Sequence, residues 1–245
     1  MEFDNMHLLS TFAVGDRKIP SAIKKSFTDE KTGYETLSNF FNNHILIKEP
    51  SREELPKKSH PKQKLKKELR RYRPQHKVRF AKPFYRFWFR YIYPFHDLIQ
   101  ENKDDEVIRF ILEDLENYVS FTFEELAAEL LKEKINNISS IGSYWDRKVE
   151  IDLLVKQTDG RTIVAECKWK NSKICKKTLT SLQKKASIAG FEPELYVLFS
   201  KSGFSNELLK NRPQNVLLFD LEDFKEWSEE EVYRKKEKSP YSFEF

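Results

Sequence analysis

The sequence predicts an α/β protein, in which a mixed sheet flanked by helices follows a smaller α+β domain of three helices and two strands. Three observations carry this. Residues 149–169 read as a β-hairpin: β-branched and apolar residues fill 149–155, Thr158-Asp159-Gly160 is turn chemistry, and 161–169 alternates again. Residues 194–200 and 215–220 are apolar runs of buried-strand length joined through a short helical stretch at 206–211, the spacing of a crossover connection. Three short helices precede the first strand.

In chain order, residues 7–14 and 19–27 have helical apolar spacing, and a third helix starts near Thr32-Gly33 and runs through Tyr34, Leu37, Phe40 and Phe41. Residues 44–48 and 76–80 then read as strands separated by a long basic loop at about 49–75. Helix, helix, helix, strand, loop, strand is the order of a winged helix, which places a first domain at 1–80 with the third helix in the recognition position. Its polar positions, Glu35, Ser38, Asn39, Asn42 and Asn43, include no arginine, so a structural or protein-binding winged helix fits as well as a base reader.

Phe84, Phe87, Trp88 and Tyr91 form one helical stripe, with Tyr85, Phe89 and Ile92 behind it, so 81–100 is expected to be a connecting helix buried on both sides and ended by Pro94. Residues 106–118 and 122–134 read as two amphipathic helices, the second opened by a Thr122–Glu125 capping box. Its apolar stripe holds Phe123, Leu126, Ala127, Leu130 and Leu131, with Glu124 at the edge. A basic helix is expected over 176–189, the main domain over 101–225 and a charged tail over 226–245.

The chemistry concentrates in the hairpin. Centring the turn on Asp159 puts Asp152 opposite Glu166 and Glu150 opposite Lys168, on the face away from Ile151, Leu153, Ile163, Ala165 and Cys167. Opposed carboxylates repel, and folding alone gains nothing from them. A hard divalent cation such as Mg²⁺ or Mn²⁺ would resolve the conflict, with water and phosphate completing its shell. Lys168 could orient or deprotonate an attacking water, or stabilise charge on a phosphorane. The competing structural reading is an edge hairpin with a charged solvent face.

The pattern D-x(13)-E-x-K made by Asp152, Glu166 and Lys168 resembles that of the PD-(D/E)XK nuclease superfamily. FYRFWFRYIYP at 84–94, FEELAAELL at 123–131, WDRKVEIDLLV at 145–155 and ECKWKN at 166–171 look more closely like the nuclease-like C-terminal domain behind archaeal and bacterial STAND-type ATPases, a domain of unknown function. The likeness covers about 78–220. It implies a restriction-endonuclease-like fold and metal-dependent hydrolysis of DNA. Asp152, Glu166, Glu124 and, as an outer ligand, Glu150 would hold Mg²⁺ or Mn²⁺, and Lys168 would stand by the attacking water. Lys170, Gln183 and Lys184 would help hold the nucleic acid. The alternative is a DNA-binding or regulatory module that kept the fold and lost efficient chemistry.

Composition sets limits. Charged residues make up 34% of 245, and no apolar run is long enough to cross a bilayer, so a cytoplasmic protein with no membrane partner is expected. Two cysteines without a C-x-x-C pattern exclude a disulfide framework or structural zinc. No G-x-x-x-x-G-K-[ST] loop occurs, so ATP is not an expected cofactor; a separately encoded ATPase and a homodimer are possible partners. From 57 to 79 eleven Lys or Arg face the single Glu68, a local +10 in a chain of net +5. That segment, including Lys62, Lys64, Lys66, Lys67, Arg70 and Arg71, is either a contact for the phosphate backbone of DNA or a solvated tether.

Overall fold

The apolar stripes of the first three helices converge on one core. The computed structural model describes residues 6–53, 60–70, 72 and 74–238, and these divide into two units between Tyr118 and Val119. In the first unit, α1 (Met6–Val14), α2 (Ile19–Lys25) and α3 (Glu30–Asn42) bury Leu8, Leu9, Phe12, Ala22, Ile23, Leu37 and Phe40 with Leu46, Val78 and Phe80. Strands β1 (Leu46–Glu49) and β2 (Lys77–Phe80) pair antiparallel with Leu46 opposite Phe80. Helix α3 starts earlier than expected, because the Asp29 side chain accepts from the Thr32 amide and caps it. Gly33 is required there: a Cβ would stand 2.9 Å from the Ile23 side chain of α2.

Among its described residues the basic loop forms a short helical turn, α4 (Lys67–Arg70). Lys62, Lys64, Lys66, Lys67 and Arg70 are exposed; Arg71 lies outside the described residues.

The aromatic segment departs from the uniform helix expected of it. It is built as α5 (Pro83–Phe87), a π-helical turn over Trp88–Ile92, a 3-10 turn over Tyr93–Phe95, and α6 (His96–Gln100). The wide turn buries Phe89, Arg90 and Tyr91 in succession, which a 3.6-residue stripe does not do. Phe84 and Trp88 are left 61% and 41% exposed, so burial on both sides is not found. Buried Arg90 donates to the Ala13 carbonyl at 2.7 Å and to both Asp114 oxygens at 2.5 and 2.8 Å, and the Tyr91 hydroxyl donates to Asp114 at 2.8 Å. The Arg90 hydrogen bond holds the Asp114 carboxyl down at about 2, while burial pushes the Tyr91 hydroxyl up to about 12.

The two helices expected over 106–134 are one, α7 (Asp104–Lys134), 31 residues long. No proline or glycine interrupts it, Asp104, Asp105 and Glu106 suit its N-terminus, and Lys132 and Lys134 suit its last turn. Thr122 is therefore a mid-helix residue and caps nothing.

The second unit is a five-stranded sheet in the order β3 (Ile138–Trp145), β4 (Glu150–Gln157), β5 (Thr162–Lys168), β6 (Leu195–Ser200), β7 (Val216–Phe219). The first two pairings are antiparallel and the last two parallel. Gly160, at φ +88, closes the β4–β5 turn. On one face, α8 (Lys176–Ala189) and α9 (Asn206–Lys210) pack Leu179, Leu182, Ala186 and Leu208 on Leu154, Val164 and Leu198. On the other, Phe123, Ala127, Leu130 and Leu131 of α7 cover Leu153, Val155, Ile163, Ala165 and Cys167. Ile151, expected on the α7 face, packs instead with the α8 cluster. Leu126, assigned to the apolar stripe, is 43% exposed. The segment expected as a tail from 226 continues helix α10 (Leu221–Lys238), whose Phe224 and Trp227 pack on the α7 side of the sheet.

If α7 is continuous, Thr122→Ala should leave stability to urea unchanged within about 0.5 kcal/mol, since alanine is the better mid-helix residue. A loss of about 1 kcal/mol would mean that Thr122 caps a separate helix.

Candidate active site at the end of the β4–β5 ladder

Regular pairing of β4 with β5 runs from Lys156–Thr162 to Leu153–Ala165, and the same register places Asp152 opposite Glu166. There the ladder changes. The next inward amide of β5, that of Cys167, donates at 2.8 Å to Asp152 Oδ2 in place of a carbonyl of β4. Strand β5 continues alongside β6 as far as Lys168–Ser200, so Glu166 remains held by the parallel half of the sheet. The two acids thus stand at a point where one strand pair has ended and the other has not.

Glu166 is 5% exposed and is surrounded by ammonium groups. Lys168 Nζ donates to Oε1 at 2.6 Å, and Lys185 Nζ, from α8, donates to Oε1 at 2.9 Å and Oε2 at 2.7 Å. Asp152 receives only the one backbone hydrogen bond among the described residues. Burial first, and then the Glu166 charge, push its carboxyl up to about 6. For Lys168, burial acts to lower the pKa, but the hydrogen bond to Glu166 and its charge outweigh burial and raise it. Lys168 is a firmly charged ammonium. Burial, reinforced by Asp152, Glu124 and Glu166, raises the Cys167 thiol well above its usual range, which makes it a packing residue.

The remaining residues singled out in the sequence are dispersed. Glu150 is exposed at the start of β4, opposite Trp145 of β3. Glu124 is half-buried on α7, the helix that covers the sheet face opposite α8, yet close enough to act on Cys167. Among the described residues no group of three or more His, Cys, Asp and Glu side chains is placed to hold a metal ion. Lys170 and Lys184 are exposed and Gln183 is half-buried. Lys185 is not among the residues the sequence reading picks out. A signal for it exists: it follows Leu182 by three positions and adjoins Ala186, both buried against the sheet, so it leans inward where Lys184 points away.

The chemistry of the pair suits a hard cation: Asp152 has an oxygen to spare, and Glu166 already binds positive charge through both of its own. Two carboxylates are a sufficient protein contribution to a Mg²⁺ or Mn²⁺ site whose other ligands are water and phosphate. Lys170, Lys173, Lys176 and Lys177, which follow β5 in the chain, are exposed, and Lys201 Nζ lies 4.9 Å over the Trp169 ring.

Residues 88–184 match a family model, DUF234, described as archaea bacterial proteins of unknown function. The crystal structure of a protein of unknown function, AF1548, aligns at 21% identity over 45% of this chain and 66% of that one, with a TM-score of 0.35. No curated protein matches the chain. Among the described residues no helix is long and apolar enough to cross a membrane.

The raised Asp152 carboxyl has a stability consequence. Between about pH 4 and pH 6 the folded chain binds more protons at this site than the unfolded chain, so stability falls as pH rises through that window, by on the order of 3 kcal/mol in all. Asp152→Asn, which keeps an acceptor for the Cys167 amide, should be the more stable protein at pH 7.5 and lose that advantage by pH 4. A stability difference that is flat from pH 4 to pH 7.5 in thermal unfolding would contradict this electrostatic account.

Proposed function

We propose that the second unit is a metal-dependent nuclease of the PD-(D/E)XK type that hydrolyses DNA phosphodiester bonds, and that its sheet is a restriction-endonuclease-like core. The observation that carries this is the neighbouring pair of acids, Asp152 and Glu166, close enough for one charge to act on the other, with an ammonium, Lys168, two residues along β5. A helix, three antiparallel strands, a helix and a parallel strand, from α7 to β6, support the core assignment. In the first unit, three helices and a two-stranded hairpin with a basic loop support a winged helix whose wing meets phosphates.

Asp152 and Glu166 would hold Mg²⁺ or Mn²⁺, which would supply charge neutralisation at the phosphate and a more acidic bound water. Lys168 holds its proton too tightly to serve as a base while it is bound to Glu166. Its part would be electrostatic, stabilising the charge that grows on the phosphoryl oxygens as water attacks and the sugar oxygen leaves. The two ammonium groups already held by Glu166 favour a second reading, a DNA-binding module in which Glu166 is a structural anion for two lysines.

The two readings differ in a simple assay. Linear, supercoiled, flapped and four-way-junction DNAs should be cut only with Mg²⁺ or Mn²⁺ present, and Asp152→Ala, Glu166→Ala and Lys168→Ala should each lower the rate by roughly 100-fold or more. No cutting of any substrate with either metal supports the binding module. For the basic loop, replacing Lys62, Lys64, Lys66 and Lys67 with Ala should flatten the dependence of log K on log salt by about 0.9 for each phosphate no longer neutralised. An unchanged slope would leave the loop a tether.

A further inference from the structure

The cation that Glu166 already carries is supplied by α8. Lys185 Nζ reaches both carboxylate oxygens, at 2.9 and 2.7 Å, while Lys168 shares only Oε1. A single ammonium bridging both oxygens of a buried carboxylate takes up the oxygens that a divalent ion on Glu166 would need. Asp152 makes no hydrogen bond to either lysine among the described residues; its one hydrogen bond is from the Cys167 amide, so the direct contacts of both ammonium groups go to Glu166. The Lys185 side chain is 28% exposed, on a four-carbon stem, and has a solvent side to move toward.

We propose that Lys185 is a built-in placeholder cation: it bridges the Glu166 carboxylate in the metal-free protein, a divalent metal ion displaces it, and the freed ammonium turns to a phosphate of the bound nucleic acid. This rests on the metal-binding reading of Asp152 and Glu166. It adds that metal entry is a competition within the protein, and that α8 presents a cation to the backbone only once the metal is in place. Lys185 is a positioning residue that acts through Glu166. One cation leaves as another arrives, a single positive charge giving way to two, which keeps Glu166 from being buried unpaired at any stage.

The test is Mn²⁺ binding to the full chain without nucleic acid, followed by calorimetry or by the loss of free Mn²⁺ signal in electron paramagnetic resonance. Lys185→Met keeps the length of the side chain and removes its charge. It should tighten Mn²⁺ binding by roughly tenfold or more, because a unit positive charge no longer competes at contact distance. Damage to the fold would weaken binding, so tightening cannot come from a merely structural role. Lys185→Arg keeps a cation on Glu166 and should bind Mn²⁺ no more tightly than wild type. It also serves if Lys185→Met does not fold, since tightening in Lys185→Arg would then overturn the proposal. Mn²⁺ bound equally or more weakly by Lys185→Met, while Asp152→Asn abolishes binding, overturns the placeholder and leaves the metal site standing. Lack of binding in wild type and Lys185→Met alike overturns both, and binding that appears only in Lys185→Met supports both.

Discussion

The repulsion between Asp152 and Glu166 is the constraint around which this end of the sheet is arranged. Like charges directly across a strand pair destabilise it, and burial makes the interaction stronger than it would be in water. Each neighbouring feature answers part of that cost. The Cys167 amide, which a regular ladder would give to β4, goes to Asp152 instead, and two lysines from different elements converge on Glu166. Burial first, and then what remains of the repulsion, keep the Asp152 pKa raised. A protein selected only for stability would have replaced the pair with a neutral one.

The sheet makes the arrangement possible because β5 has different partners on its two sides. Its antiparallel pairing with β4 ends at Ala165, while its parallel pairing with β6 extends through Lys168. Glu166 is therefore fixed from one side and open on the other. Helix α8 packs through Leu179, Leu182 and Ala186 and so holds Lys185 against the acid.

Much of this is legible in the sequence, for local reasons. The turn at Thr158-Asp159-Gly160 fixes the register of the hairpin by symmetry from Lys156–Thr162 to Leu153–Ala165, while the period-2 alternation fails at Ile151, which packs on the same side as Leu154. Lys176–Ala189 and the two parallel strands are also bounded by clear signals. Strand β3 is hidden because it breaks its own period. Register shifts after Ile138 and after Gly142 space Ile138, Ile141 and Tyr144 three apart, which imitates a helix. The 31-residue helix looks divided in the sequence because of a Thr-x-x-Glu pattern that means a cap only where a helix begins. Face assignment on a wheel assumes 3.6 residues per turn, and the π-helical turn at Trp88–Ile92 removes that assumption for the aromatic segment. Lys185 is legible only from its place beside the buried Leu182 and Ala186 stripe of α8, because the Lys184-Lys185 pair by itself does not separate the two.

The central claim is that the two acids are a cation site. It is tested most directly by growing crystals of the full chain in Mn²⁺ with a short DNA duplex and collecting data at a wavelength where manganese scatters anomalously. The account predicts an anomalous peak about 2.0–2.3 Å from oxygens of both Asp152 and Glu166, with a phosphate oxygen or water completing the shell. Duplex bound beside the pair with no anomalous peak there, and Glu166 still gripped by Lys168 and Lys185, would contradict it.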